Sequence, residues 1–331
     1  MGKNVTTKIA LIIVLAICAI VLLFAGVVST VLAGGMVRRW ILTRDMTGGT
    51  GLVYEIDTRG LPDEEKKDLS QRMIAVLRRR VDPAGRLPLV WRPLSNTRFE
   101  ILISPVAGSS ASQNLQRMLR GAGILEFRIL PTQGHPEVDM GQTNTHVEQL
   151  KEKGPQYTSD TRYVWCEIEN VQDWRAADGE GRPTIVEQFD EKSYVLASSG
   201  TNEAMLHTGD RTGWKLEEAY PTTDSVGRRA IGFLLDERGS KLFSNVTGKN
   251  IGRPLCILLD GIALSAPNIQ SQISEQGVIT GNFSPTQVED MVNKLNAGSL
   301  PARLIEQPIS IRTIGPSGDT NKLDESKEIE R

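Results

Sequence analysis

A run of 25 residues without one charge, Ile9 to Ala33, constrains this chain more than any other feature. Lys3 and Lys8 precede it, and Arg38, Arg39 and Arg44 follow it. At about 1.5 Å per helical residue the run is long enough to cross a hydrocarbon core of roughly 30 Å. Helices buried in soluble cores are seldom so long and so uniformly apolar. A cleavable export signal has an apolar region of only about 7–15 residues. Val31-Leu32-Ala33 resembles a cleavage site, but the run before it is too long. The expectation is therefore an uncleaved transmembrane helix over 9–34, behind a short flank, 1–8. Lysines on one side face arginines on the other, so the positive-inside rule does not orient the helix. No later apolar run approaches 20 residues, which predicts a single-pass anchor carrying one large part on one side of a lipid bilayer.

That part has the composition of an ordinary globular protein, with 39% hydrophobic and 24% charged residues in the whole chain. A formal charge of -2 supplies no cationic field for phosphates, so nucleic acid is not an expected partner. Cys18, Cys166 and Cys256 are too scattered for a disulfide framework or a zinc site, and a Cys166–Cys256 bridge is not expected. Charge is uneven along the chain: residues 36–136 hold 16 basic and 10 acidic side chains, residues 137–224 hold 8 and 18. This divides the polar part into three blocks.

In the first block Leu52 to Glu55 and Ile56 read as a strand. Leu69, Met73, Val76 and Leu77 then fall on one helical face. Leu87 to Leu94 and Arg98 to Ser104 form an expected hairpin, with Phe99, Ile101 and Ile103 alternating inward. A second helix carries Leu115, Met118 and Leu119 and stops near Gly121, and Ile124 to Leu130 returns as a strand. The order is βαββαβ, the split βαβ arrangement of ferredoxin-like folds. In the third block, a strand over Ala230 to Leu235 leads to a helix over Glu237 to Val246. Asp260-Gly261 lies between two apolar runs, the signature of a type I′ hairpin. After the strand Val278 to Thr280, Ser284-Pro285-Thr286-Gln287 forms a capping box with proline in the first turn. Val288, Met291, Val292 and Leu295 face inward from that helix, and Gly298 caps its end. The middle block is acidic but holds Trp165, Trp174 and Trp214, which argues against disorder and predicts an insertion with a small core of its own.

No catalytic inventory emerges. His135, His146 and His207 lack metal-ligand spacing and are expected on the surface. Gly48-Gly49-Thr50-Gly51 opens onto a strand, whereas a phosphate loop opens onto a helix. Arg78-Arg79-Arg80 ends a helix, where cations suit the dipole, and reads as a solvated face. Asp57 and Asp260 are accounted for by turns. Catalytic, cofactor-binding and metal-ligating residues are therefore expected to be none, and the chain is not expected to be an enzyme.

Several of these segments together resemble the SecD family. Asp45-Met46-Thr47-Gly48-Gly49-Thr50 with Leu52 to Glu55 resembles the family's glycine-pair strand, and Leu77-Arg78-Arg79-Arg80-Val81 its helix end. Phe99 to Pro105 and Gly123-Ile124-Leu125-Glu126-Phe127-Arg128 resemble two of its strands. The most specific stretch comprises Leu259-Asp260-Gly261, Ser265-Ala266-Pro267, Ile279-Thr280-Gly281-Asn282-Phe283 and Leu295-Asn296-Ala297-Gly298-Ser299-Leu300-Pro301. Thr313-Ile314-Gly315-Pro316-Ser317 resembles the family's junction with its later membrane helices.

The resemblance implies an accessory of the Sec preprotein translocase in the plasma membrane, its large domain on the extracytoplasmic, periplasmic face. It implies a ferredoxin-like base and a mobile head that engage unfolded exported polypeptide, with SecF and the Sec translocon channel as partners, and a full-length SecD as a further one. The family continues past Gly315-Pro316 into five membrane helices that carry proton coupling. Here a charged tail, Asp324 to Arg331, follows, so proton-driven work is expected to need a partner. The expected organisation is α+β: base over 35–131, acidic insertion over 132–228, head-like β-rich segment over 229–284, a returning base helix and strand over 285–316, and a tail over 317–331. Residues 132–228 are expected to tilt relative to the base. The rival expectation is a membrane-anchored scaffold that kept the fold without translocation activity. A hydrolase would require a clustered nucleophile, acid and base.

Overall fold

The computed structural model describes residues 49–105, 111–133, 135, 138–157, 162–169, 171, 174, 184–206, 213–305 and 307–314. The expected transmembrane helix, the charged tail, Cys18, Gly48 and His207 lie outside the described residues. Among the described residues, no helix is long and apolar enough to cross a membrane.

The chain begins a mixed α+β architecture with β1 (Gly49–Asp57), α1 (Asp63–Lys66), α2 (Leu69–Val81), β2 (Leu89–Pro93), β3 (Arg98–Ile103) and α3 (Ala111–Leu119). The apolar stripe of α2 does what its spacing predicts: Leu69, Met73, Val76 and Leu77 are all buried. They pack with Tyr54, Trp91, Phe99, Ile101, Leu115 and Leu119 into one cluster. Phe99 anchors it between Tyr54, at 5.8 Å between ring centroids, and Trp91, at 6.3 Å. β2 and β3 form the expected antiparallel hairpin.

After α3 the chain departs from the expected order. β4 (Leu125–Ile129) was expected to close this sheet, but it pairs with a strand more than 100 residues later. It enters a second lobe made of α4 (Met140–Lys153), β5 (Tyr163–Ile168), β6 (Val186–Phe189), β7 (Lys192–Ser198), β8 (Ala204–Met205), β9 (Leu216–Thr223), β10 (Arg229–Leu235), α5 (Glu237–Lys249), β11 (Leu255–Leu259), β12 (Ile262–Ser265), β13 (Gln276–Thr280) and α6 (Pro285–Ala297). Seven strands form one sheet in the order β6-β7-β5-β12-β11-β4-β8, and three form another, β13-β10-β9. Between them sits a cluster centred on Phe127, whose ring lies 4.8 Å from that of Phe243 and 5.4 Å from that of Phe233. The opposite face of the seven-stranded sheet buries Leu130, Cys166, Cys256 and Leu258 under Trp174. We call this second lobe the head and the first the base.

Local signals held in the head. Asp260 and Gly261 take φ of 58° and 83°, as a type I′ turn demands, between β11 and β12. The Ser284–Gln287 capping box is complete in both directions. The acidic insertion is not separate, however. β5 pairs parallel with β12, β8 pairs with β4, and β9 forms a hairpin with β10 across the expected boundary at 228. Its tryptophans serve three cores: Trp214 beside Phe127, Trp174 with the cysteines, and Trp165 with Leu150, Tyr163 and Leu196.

The chain re-enters the base through β14 (Arg303–Leu304) and β15 (Ser310–Ile314), both antiparallel to β1. The base sheet is thus β14/β15-β1-β3-β2, the strand order of a split βαβ unit whose last strand follows the head. Helix α6, expected in the base, buries Val288, Val292 and Leu295 in the head core and only Ala297 in the base core.

Candidate functional site

Two linkers join the lobes, side by side. The outgoing one passes Gly121 and Gly123 with φ of 74° and 78°, and the returning one leaves α6 at Gly298 with φ of 82°. These left-handed angles are costly for a residue bearing a Cβ. At Gly121 an added Cβ would collide with the Asp260 carboxylate, and at Gly123 it would lie 2.6 Å from Arg80 Nη2. Leu300 N–H donates to Ala122 O at 2.7 Å, tying one linker to the other.

Arg80, from α2 of the base, closes around both. Its Nη1 donates to Gly121 O at 2.7 Å, and its Nη2 to Ala122 O at 3.0 Å and Gly298 O at 3.4 Å. Arg79 Nη2 donates to Ala297 O at 3.1 Å. Arg80 is 1% exposed, and burial pulls its pKa down to about 10, against the opposing pull of Asp260. It stays cationic at neutral pH. The expected solvated face therefore holds for Arg78 but not for Arg80.

The head contributes Asp260. Its Oδ1 accepts from Gly123 N at 2.6 Å and Ile124 N at 2.9 Å, and its Oδ2 from Lys294 Nζ at 3.2 Å. Its own N–H donates to Ile124 O at 2.8 Å. Asp260 is a turn residue, as its sequence context predicts, and also a fastener of the outgoing linker. Asn296 fixes α6 to β9 by accepting from Ala219 N at 2.7 Å and donating to Ala219 O at 2.8 Å. Arg117 of α3 and Asp290 of α6 form an ion pair across the lobes. Charge-assisted bonds of this kind are stronger than neutral ones, so the junction holds one arrangement firmly. Its glycines supply the backbone freedom that any other arrangement would need.

A second polar cluster lies inside the head. Arg253 Nη1 donates to Glu203 Oε1 at 2.5 Å and to Asn250 Oδ1 at 2.7 Å, while Ser198 Oγ donates to Glu203 Oε2 at 2.5 Å. Arg128 Nη1 reaches Ser199 Oγ at 2.7 Å. Burial alone would raise the Glu203 pKa, but the Ser198 and Arg253 hydrogen bonds outweigh it and hold the carboxyl below its ordinary range. Ser199 to Glu203, Arg162, Lys249 and Asn250 line an open hollow of about 750 Å³.

The structure separates the other residues singled out in the sequence. His135 is part-exposed. His146, expected at the surface, is fully buried and sits edge-on to Tyr163 at 5.6 Å between ring centroids. Cys166 and Cys256 carry free, buried thiols, and burial pushes the Cys166 pKa up to about 12 and that of Cys256 well above its ordinary value. Gly49 and Gly51 belong to β1. Asp57 binds Arg59, whose side-chain hydrogen bond lowers the carboxyl pKa to about 2. Among the described residues no group of three or more His, Cys, Asp or Glu is placed to hold a metal ion.

Comparison with known proteins points one way. The family model for the SecDF P1 head subdomain matches residues 183–302. SecD, the protein translocase subunit of Elusimicrobium minutum, is 28% identical over 280 residues, which covers 82% of this chain and 53% of the relative. This chain is SecD-like. The Rhodobacter capsulatus SecD is 29% identical over 82% of this chain and 42% of its own length. The Aquifex aeolicus SecD reaches 40% identity over 106 residues, or 32% of this chain and 21% of that protein. The SecD-like chain thus spans about half the length of the curated relatives it matches. A crystal structure of SecDF in its super-membrane-facing form shares the fold, with a TM-score of 0.52 and 22% identity over 81% of this chain and 30% of that one.

Proposed function

We propose that the chain works in protein translocation, as a tethered extracytoplasmic accessory of the Sec translocase that grips exported polypeptide and is not itself an enzyme. Similarity to SecD over 82% of the chain, including both lobes, carries this reading. The joint supports it, because a grip needs two bodies with a defined link. On this reading residues 9–34 are the single-pass anchor in the plasma membrane, the lobes are the ferredoxin-like base and the head of the family, and SecF with the translocon channel are its partners. Proton-driven coupling then comes from a partner.

Polypeptide contact is tested by a photo-crosslinker at Tyr220 or Val278, both exposed on the open face of the three-stranded sheet. The expected result is an adduct with an export intermediate arrested in the channel, and co-purification of SecF or the channel after mild solubilisation. A chain that purifies alone and makes no adduct is a scaffold, and the proposal is then wrong.

A further inference from the structure

The loop from α2 to β2, residues 82–88, stands at the end of the base where the chain enters and leaves it. Strand register defines that end: Gly49 pairs with Ile314, Thr50 with Ile103, and Leu89 with Ile103. The start of β1, the end of β15, the end of β3 and the start of β2 therefore lie in one row. Ser104 N–H donates to Pro88 O at 3.3 Å, holding the loop against that row.

The loop has a built shape. Asp82 Oδ1 accepts from Arg86 N at 2.7 Å and Oδ2 from Leu87 N at 3.0 Å. Gly85 N–H donates to Asp82 O at 3.1 Å, with Gly85 at φ 65°. Pro83 and Pro88 restrict the backbone further. The carboxylate of Asp82 is thereby turned onto the loop's own amides, and Arg86 and Leu87 are left facing solvent, Leu87 at 48% exposure. One turn back on α2, Arg78 is exposed as well. An apolar side chain presented among cations suits the boundary between acyl chains and anionic headgroups.

We propose that this loop rests on the bilayer, with Leu87 in the interfacial layer and Arg86 and Arg78 on anionic lipid headgroups. The proposal depends on the reading that residues 9–33 anchor the chain. Only 15 residues separate Ala33 from Gly49, a reach of at most about 50 Å when fully extended, and Arg38, Arg39 and Arg44 lie among them. The lipid contact sets which end of the base faces down.

The test uses the full chain with Cys18→Ala, reconstituted in vesicles of phosphatidylglycerol mixed with phosphatidylcholine, or of phosphatidylcholine alone. A fluorophore is placed at Ala84→Cys and, as a control at the far end of the base, at Glu64→Cys. Headgroup-labelled quencher lipid is expected to quench position 84 and not 64, and to do so more strongly with phosphatidylglycerol. The double change Arg86→Glu with Leu87→Ser is expected to bring position 84 down to the level of 64. Equal quenching in both lipids, or none at 84, overturns the proposal while leaving the anchor intact. A chain released from membranes by alkaline extraction overturns the anchor reading and this contact together.

Discussion

The base and the head bury their sheets differently. In the base, one apolar cluster joins the sheet to α2 and α3, and the strands β1, β2 and β3 arise within 55 residues of each other. In the head, β4 and β11 lie between two apolar clusters, and β4 still carries Glu126 and Arg128, the latter only 9% exposed. A strand covered on both faces has no solvent side to receive its polar residues, so they are paired internally. The head therefore depends on charge pairing as well as packing, and it is assembled from distant segments.

The largest expected contrast comes from Phe127→Ala, which empties the centre of the head core at a cost of about 3–5 kcal/mol. Denaturation followed by hydrogen exchange should show the head amides losing protection while those of α2 and β3 keep theirs. An equal loss in both lobes would mean that they unfold as one unit.

Next is Arg253→Ala, which leaves Glu203 without its ion-pair partner and is expected to cost about 3 kcal/mol, again in the head alone. Its pH dependence has a definite sign. Because the folded Glu203 pKa lies below its ordinary value of 4.5, its stabilisation is full above that value and is lost as pH falls through the lowered one. The stability difference between the native chain and Glu203→Gln, measured in urea, should accordingly shrink on acidification. A difference that grows in acid would contradict the assignment.

The smallest effect on stability, and the sharpest on the relation between lobes, is expected from Arg80→Ala. Losing a charged donor to linker carbonyls is worth about 2 kcal/mol. It should also broaden the distribution of distances between spin labels on α2 and β9. An unchanged distribution would show that Asp260, Lys294 and the Arg117–Asp290 pair suffice to set the joint.

Much of this was legible in short windows. The turn at Asp260-Gly261, the capping box at Ser284 and the buried stripe of α2 depend on neighbours within a few residues, and they formed as expected. The partner of β4 was not legible, because Leu125, Phe127 and Ile129 alternate in a way that suits either sheet. The pairing that decides it lies more than 100 residues away. Arg80 left a readable trace: it continues the buried series Leu69, Met73, Val76, Leu77 at helical spacing, which a solvated arginine would not need to do. His146 likewise shares a buried face with Thr143 and Leu150, hidden by polar neighbours. Asn296 left no such trace, since its role depends on the free edge of β9.

The hydrogen bond from Leu300 to Ala122 has a consequence for how such a molecule is put together. Because the exit and return points touch, the head is a cassette, a loop that happens to be some 170 residues long. Splicing it out and rejoining the ends with a short turn should leave the outer strand of the base in register, and another cassette with closely spaced termini could be seated on the same socket.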